Sequence, residues 1–286
     1  MRFMTAAGTG GTTLHAITGE GAVLLTGAPG IDGGDLRCII DGGAAVLDAA
    51  AKAAAGGSAV SVSSLTPAMP VTRPGKIVCL GLNYLDHAKE GGYEMPDYPA
   101  MFLRVASSMI PAEAPMIDPA CSEKLDYEAE LMVIIGKGGK HIAEADALAH
   151  VFGYTLFNDG SVRDYQRKTH QWTPGKNFDG TGAVGPVVVT PNELPAGASG
   201  LRIQSRLNGN IMQDGSTADM MFPVAQTIAT LSEFMTLEPG DMIAMGTPPG
   251  VGHARKPPVF MKDGDVVEIE IEGIGVLRNP VVAEAR

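Results

Sequence analysis

The segment KLDYEAELMVIIGK, residues 124–137, joins alternating acidic residues to an unbroken apolar run. Asp126, Glu128 and Glu130 are two positions apart, and such positions point to the same face of a β-strand. The apolar run at 131–135 predicts a strand that is buried on both faces. Carboxylates at the entrance of such a strand must be neutralised, hydrogen-bonded or bound to a cation. The segment therefore predicts an acidic cluster at the edge of a β-rich core, with a solvated strand face as the simpler alternative.

The composition is that of an ordinary globular protein, because 45% of the 286 residues are hydrophobic and 19% are charged. The formal net charge is −11 and no stretch is strongly basic, so we expect no nucleic-acid partner. No apolar run approaches the ~18 residues of a membrane span, and residues 1–13 lack the hydrophobic region of a secretory signal. Cys38, Cys79 and Cys121 are isolated and fit neither a disulfide framework nor a zinc spacing. We therefore expect a cytoplasmic protein that does not bind membranes.

By composition and sequence pattern, the chain divides into a small first part and a larger second part. Residues 1–70 are rich in Gly and Ala and carry one convincing helix at 44–57, which predicts a small α+β domain. A proline-rich linker at 64–76 follows. Residues 72–286 contain many short strands separated by Gly, Pro and Asn, which predicts a second domain that is mostly β.

Two further helices are predicted in the second part, at 145–153 and 223–235. Strands and helices do not alternate strictly, which argues against a parallel doubly wound sheet. The predicted fold class is mixed α/β and predominantly β.

The segment GTGAVG at 180–185 matches a dinucleotide-binding glycine pattern. That pattern requires a preceding strand and a following helix, whereas this segment precedes the apolar strand PVVVT. A nucleotide-dependent oxidoreductase built on this segment is therefore a minor alternative.

The acidic cluster predicts a metal site. Oxygen donors with no Cys or His beside them suit a hard ion such as Mg²⁺, Mn²⁺ or Ca²⁺ better than zinc. Asp159 lies at the end of the apolar run HVFGYTLF, in the segment FNDGSVRDYQ, and is a candidate for the third ligand. The alternative for residues 158–160 is a simple turn, because Asn, Asp and Gly all tolerate positive φ.

These segments together resemble the fumarylacetoacetate hydrolase family. The resemblance rests on DYEAEL followed later by NDGSVRDYQ, and on four further motifs: GLNYLDHAKE (81–90), GKNFD (175–179), GTPPGVG (246–252) and the segment 255–275. It covers about residues 72–283. It implies that residues 72–286 are the catalytic domain, a mixed β-sandwich roll, with a small N-terminal domain before it. It also implies assembly as a homodimer or a dimer of dimers.

The resemblance also implies the roles of individual residues at the metal. Glu128, Glu130 and Asp159 would bind one divalent ion, usually Mg²⁺, and Lys176 would lie beside it as a catalytic residue. Asp126 is left a supporting role in hydrogen bonding near the site.

The substrate side of the site is implied in the same way. Gln166 and Thr247 would line the pocket, and Arg104 would bind substrate where many members carry a lysine. His87 and Glu90 would form a pair that activates water, and their i, i+3 spacing places them on one face if the segment is helical. The alternative is an exposed helix with an incidental histidine. We assigned structural roles to the remaining histidines, which are His15, His141, His150, His170 and His253.

The function that the resemblance implies is Mg²⁺-dependent hydrolysis of a C–C bond in a small anionic 2,4-diketo acid of acylpyruvate type, such as a diketo-deoxy sugar acid. One alternative uses the same metal and an enolate for oxaloacetate decarboxylation or tautomerisation, or for hydroxymuconate-type isomerisation or decarboxylation. A second alternative is a non-catalytic binding protein with a structural ion.

Overall fold

The acidic segment leads into the central strand of the largest sheet. The structure is a computed structural model that describes residues 1–85 and 97–285. Strand β10 (Ala129–Ile135) pairs antiparallel with β11 (Val151–Asp159) on one side and with β17 (Met242–Ala244) on the other. Every residue of β10 is buried, which confirms the prediction of a strand covered on both faces.

In the described residues, twelve strands form this mixed sheet. Besides the three already given, they are β1 (Arg2–Gly8), β2 (Gly11–Thr18), β3 (Gly21–Leu24), β4 (Ala59–Val60), β5 (Ile77–Gly81), β6 (Ala100–Arg104), β7 (Met109–Pro111), β13 (Gly182–Val184) and β14 (Val187–Val189). Their order is β4-β3-β2-β1-β14-β11-β10-β17-β5-β6, and β13 pairs with both β11 and β7. The pairing is mostly antiparallel, as expected for a chain without regular βαβ units.

A second sheet of five strands in the order β16-β15-β18-β19-β8 packs against the first. Its strands are β8 (Met116–Asp118), β15 (Arg202–Leu207), β16 (Asn210–Ser216), β18 (Val266–Ile271) and β19 (Gly275–Ala283). A short ribbon is formed by β9 (Leu125–Asp126) and β12 (Ser161–Val162). The predicted fold class, mixed α/β with strands predominant, is confirmed.

The described α-helices are α1 (Arg37–Gly56), α2 (Glu144–Ala147), α3 (Arg163–Gln166), α4 (Thr173–Lys176) and α5 (Val224–Phe234). The helices predicted at 44–57 and 223–235 are confirmed. The helix predicted at 145–153 is wrong in its last three residues, because α2 ends at Ala147, a 3-10 turn spans Leu148–His150, and Val151 already begins β11. Pairing with β10 outweighs the local helical pattern there.

The two faces of β10 pack into two different hydrophobic clusters. Leu131, Val133 and Ile135 pack with residues of the five-stranded sheet and of α5. Met132 and Ile134 pack with residues of β1, β2 and α1. Glu130 precedes Met132 by two positions, so it continues the row that faces the second cluster.

The first 70 residues extend the large sheet. Arg2 of β1 lies opposite Val189 of β14, so the N-terminal strands continue directly from the central ones. Phe3 and Leu14 share a hydrophobic cluster with Ile77. The division into domains at residues 1–70 and 72–286 stays a prediction, but the two parts share a sheet and a core.

The polar residues of interest lie at one edge of the large sheet. This edge is formed by the neighbouring ends of β5, β10, β11 and β17. Because β17 runs parallel to β5 and antiparallel to β10, the ends of β5 and β17 lie beside the start of β10. Strand β11 is antiparallel to β10 and ends at the same edge. Asn83 fastens the loops there, because its Nδ2 donates to the carbonyls of Phe222 (3.1 Å) and Met245 (2.8 Å) and its Oδ1 accepts from the Phe222 N–H (2.8 Å).

We expect Asn83→Ala to lower the free energy of unfolding by about 2–4 kcal/mol, since it removes the hydrogen bonds of Asn83 to the buried Phe222 N–H and Met245 carbonyl. Urea denaturation measures this change. The control is Asn210→Ala, which removes only long hydrogen bonds of 3.4 and 3.5 Å at an exposed turn and should change the free energy by less than about 0.5 kcal/mol. Equal effects of the two substitutions would contradict the fastening role of Asn83.

Candidate metal centre

The pairing of β10 with β11 brings three carboxylates together. Ala129 lies opposite Asn158, and the Asp159 N–H donates to the Glu128 carbonyl over 3.0 Å. As a result, carboxylate oxygens of Glu128, Glu130 and Asp159 lie within 4.8 Å of one another, and all three side chains are buried. The predicted acidic cluster is present, and the segment at 158–160 is more than a simple turn.

Lys176 reaches into this cluster from the end of α4. Its Nζ lies 2.5 Å from Glu128 Oε2 and 2.6 Å from Asp159 Oδ2. Burial alone would lower the pKa of Lys176, but the Asp159 and Glu128 charges hold it above its ordinary value. Lys176 is therefore a fixed positive charge beside two of the three carboxylates.

Glu130 is the least neutralised of the three carboxylates. Its Oε2 accepts a hydrogen bond from the Gly246 N–H over 3.0 Å, and within residues 1–85 and 97–285 it makes no ion pair. Burial, followed by the charges of Asp159 and Glu128, raises the pKa of Glu130 well above its ordinary value. A second cation in the cluster would remove this penalty.

The donor set fits a hard divalent ion. The cluster offers carboxylate oxygens from three buried side chains, which is the chemistry that Mg²⁺, Mn²⁺ and Ca²⁺ prefer. Among the described residues, Glu128 and Asp159 have cationic partners whereas Glu130 makes no ion pair, so a divalent ion would supply the charge that Glu130 lacks.

Arg104 has a different position from the one predicted for it. Its buried guanidinium forms an ion pair with Asp159 and donates to the Gly160 carbonyl (3.2 Å) and to Thr181 Oγ1 (2.8 Å). It does not line the cavity in front of the carboxylates. We therefore reassign Arg104 from substrate binding to holding Asp159 in place. An arginine suits this position because its planar fork can serve several acceptors at once.

Asp126 lies outside the carboxylate cluster and organises its surroundings. Its carboxylate pairs with Arg163 Nε (2.8 Å) and accepts from the N–H groups of Gly252 (2.7 Å) and His253 (2.9 Å). The other side of the Arg163 guanidinium lies 2.7 Å from Glu128 Oε1. Although burial alone would raise the pKa of Asp126, Arg163 and the hydrogen bonds from His253 hold it below its ordinary value. Asp126 thus has the supporting position that the sequence predicted.

A cavity opens in front of the carboxylates, and two predicted substrate residues line it. Gln166 Oε1 accepts from Arg163 Nη1 over 3.0 Å, and Thr247 Oγ1 accepts from Gln213 Nε2 over 2.7 Å. These bonds fix both side chains at the cavity wall. Their contact with a substrate stays a prediction.

Aromatic rings close one side of the cavity. Trp172 packs edge-on against Phe102, with 5.7 Å between ring centroids, and Lys176 Nζ lies 4.9 Å from the centroid of Phe102. Gly81 is required here, because a Cβ at this position would lie 2.0 Å from the Trp172 ring. The wall keeps Lys176 in a low-dielectric environment, where its charge acts strongly.

The predicted pair His87 and Glu90 lies outside the described residues, so its role stays a prediction. The cavity wall also contains three basic side chains that the sequence analysis left without a role there: Arg163, Arg167 and His253. Arg163 stands in the quoted segment FNDGSVRDYQ, so its motif was a usable signal. His253 had no local signal, because its partner Asp126 is distant in the chain.

The family model for the fumarylacetoacetate hydrolase C-terminal domain matches residues 76–282. The chain belongs to the fumarylacetoacetate hydrolase family. Members of this family are enzymes that bind divalent metals, in agreement with the acidic triad. The matched region contains every residue of the carboxylate cluster and its three cationic partners.

Three similar proteins illustrate the range of activities. The chain is 47% identical to human mitochondrial oxaloacetate tautomerase FAHD2A over 222 residues, which cover 77% of this chain and 70% of that protein. A fumarylacetoacetate hydrolase from Exiguobacterium antarcticum superposes with a TM-score of 0.83 at 32% identity, covering 99% of this chain and 100% of that one. A 5-carboxymethyl-2-hydroxymuconate delta-isomerase from Mycobacterium smegmatis superposes with a TM-score of 0.79 at 30% identity and covers 100% of both chains.

The comparisons contradict the predicted cytoplasmic location. The tautomerase relatives from human, cattle and Xenopus laevis are mitochondrial proteins by name. The prediction rested on a missing secretory signal and isolated cysteines, and neither tests for a mitochondrial transit peptide, which is amphipathic and Arg-rich. Among the described helices, none is long and apolar enough to cross a membrane.

We expect Glu130→Gln to weaken Mn²⁺ binding at least about tenfold, which corresponds to about 1.4 kcal/mol of binding free energy, because a neutral amide replaces a charged donor. Titration calorimetry measures the affinity, and the metal-dependent rise in melting temperature should shrink in parallel. Glu144→Gln is the matched control, because Glu144 is an exposed residue of α2. Wild-type affinity in Glu130→Gln would remove Glu130 from the ligand set.

Proposed function

We propose that the protein interconverts the enol and keto forms of a small 2-keto dicarboxylic acid, with oxaloacetate as the leading substrate. The observation that carries this proposal is the 47% identity to an oxaloacetate tautomerase over the region that contains the whole carboxylate cluster. The proposal replaces C–C bond hydrolysis as the leading function and retains the predicted enolate chemistry.

The charges of the cavity suit a reaction in which an oxygen becomes negative. Lys176 is buried, positively charged and fixed by two carboxylates, so it needs no reorganisation when charge develops nearby. Gln166 and Thr247 offer polar contacts on the cavity wall, and Phe102 and Trp172 exclude water on the other side. A bound divalent ion would be held by Glu128, Glu130 and Asp159 and would polarise the keto oxygen as a Lewis acid.

Isomerisation of a hydroxymuconate-type acid is the second candidate. It is supported by the likeness to the Mycobacterium smegmatis isomerase over the full length of both chains. This reaction also passes through an enol, so it requires the same cationic groups. It differs from the leading proposal in the length of the acid that the cavity must accept.

Hydrolysis of acylpyruvates makes an additional demand, because it needs an activated water. The predicted pair for this step is His87 and Glu90. Tautomerisation needs no water as a reactant, so the two functions differ in how much they depend on this pair.

A homodimer or dimer of dimers stays a prediction. The edge strand β6 and the residue after it expose Leu103 and Val105, which are 54% and 51% accessible in the isolated chain. An apolar sheet edge of this kind is a suitable surface for a second copy.

The proposed function predicts that the purified protein accelerates the loss of enol-oxaloacetate absorbance, that EDTA abolishes this activity and that Mg²⁺ restores it. Lys176→Met should lower kcat/KM at least about 100-fold, since it removes a buried charge worth about 2.7 kcal/mol or more in the transition state. Lys262→Met is the control, because Lys262 is exposed and does not line the cavity. If Lys176→Met retains full activity, the enolate-stabilising role is wrong.

His87→Ala should leave oxaloacetate tautomerisation within about threefold of the wild-type rate, because no water has to be activated. The same variant should lose any acylpyruvate hydrolysis that the wild type shows. Both rates are measured on one preparation with products identified by NMR. Faster hydrolysis of acylpyruvates than tautomerisation of oxaloacetate by the wild type would instead restore the hydrolase prediction.

A further inference from the structure

His253 lies in the wall of the cavity, on the loop that follows Thr247. Its backbone N–H donates to Asp126 Oδ2 over 2.9 Å, and its ring Nδ1 lies 3.3 Å from the same oxygen. The side chain is largely buried, with 15% of its surface exposed. The imidazole is therefore held by a buried carboxylate on one edge and borders the cavity.

The position of His253 gives it one nitrogen available for chemistry. With Nδ1 directed to Asp126, Nε2 has no hydrogen-bond partner among the residues that the structure describes. A carboxylate bonded to one ring nitrogen orients the imidazole and fixes which nitrogen exchanges protons with a ligand. The remaining nitrogen is thus left for a molecule in the cavity.

The other described side chains of the cavity are poorly suited to move protons. Lys176 forms ion pairs with two carboxylates. Arg163 forms ion pairs with Asp126 and Glu128, and an arginine remains charged in proteins. Glu128 and Glu130 belong to the metal cluster. Histidine is the residue type whose ordinary pKa lies near neutrality.

We infer that His253, oriented by Asp126, transfers the proton to and from C3 of the bound keto acid, an inference that rests on the proposed enol–keto function. In the direction from enol to keto, the Nε2–H of the imidazolium gives its proton to C3. The electron pair of the C2=C3 π bond forms the new C3–H bond. The electron pair of the enol O–H bond becomes the second C2–O bond, and the released proton returns to Nε2. One proton is given and one is taken back, so no oxidant or other reactant is needed.

The test is deuterium exchange at C3 of pyruvate in D₂O with Mg²⁺, followed by NMR. Pyruvate is a small 2-keto acid, and its C3 protons exchange through the same enol without any change in product. His253→Gln should slow the exchange about 100-fold, the size of a general acid–base contribution, while Mn²⁺ affinity and melting temperature remain at the wild-type values. His170→Gln is the matched control, because His170 is exposed and does not line the cavity. Asp126 is not substituted, because it also holds Arg163 and the Gly252 N–H.

Three results would overturn the inference. The first is exchange by His253→Gln within about threefold of the wild-type rate. The second is a parallel loss of Mn²⁺ affinity, which would give His253 a role in building the metal centre. The third is wild-type exchange no faster than with Mg²⁺ alone. The oxaloacetate assay tests the proposed function separately. If His253→Gln tautomerises oxaloacetate as fast as the wild type, only the role of His253 is refuted.

Discussion

The balance of buried charge at the edge of the large sheet is the constraint on which the rest of the structure depends. Four buried carboxylates, Asp126, Glu128, Glu130 and Asp159, lie there. In the described residues they are in contact with three cationic side chains, Arg104, Arg163 and Lys176. Burying charges is tolerated only when they are paired, so each member of this set needs the others in place. With all four carboxylates counted as ionised, one negative charge is in excess, and Glu130 is the carboxylate without an ion pair among the described residues.

This balance couples the site to the assembly of the whole fold. The carboxylates come from β9, β10 and the end of β11, whereas the cations come from β6, α3 and α4. No two of the cations belong to the same element, so the pairs form only when the distant parts of the chain have come together. The pairing of β10 with β11 sets the position of Asp159 relative to Glu128, and β6 then brings Arg104 to the far side of Asp159. A rigid, charge-balanced cluster of this kind is preorganised for electrostatic stabilisation.

Much of this arrangement could be read from the sequence where the signal was local. The apolar run at 131–135 defined the central strand, and the alternation of Glu128 and Glu130 placed both on one face because side chains alternate along any strand. Asp159 followed from its place at the end of an apolar run. The sequence alone could not show which residue the charged end of a long side chain contacts. Arg104 is two positions from the cavity residue Phe102, yet its guanidinium pairs with Asp159 and does not line the cavity.

The remaining failures arise from contacts between distant segments. The predicted helix at 145–153 is interrupted because Val151 pairs with Ile135, and no local pattern reports that pairing. The sequence around His253 predicts a structural role because no partner stands within its own segment, whereas folding brings it to Asp126. A histidine gains a chemical role from what holds its ring, and that information lies in the fold.

The excess negative charge also bears on how one scaffold serves several reactions. A divalent ion would turn the excess into a net positive charge, which would attract the proposed keto acid and stabilise its enolate oxygen. Hydrolysis, isomerisation and tautomerisation all require this stabilisation, so the carboxylate cluster and Lys176 do not distinguish among them. The distinction must come from other groups. Hydrolysis needs a group that activates water, whereas isomerisation and tautomerisation need a group that transfers a proton to carbon. On this argument, the loops around the cluster set the reaction, and the buried charges make any of these reactions possible.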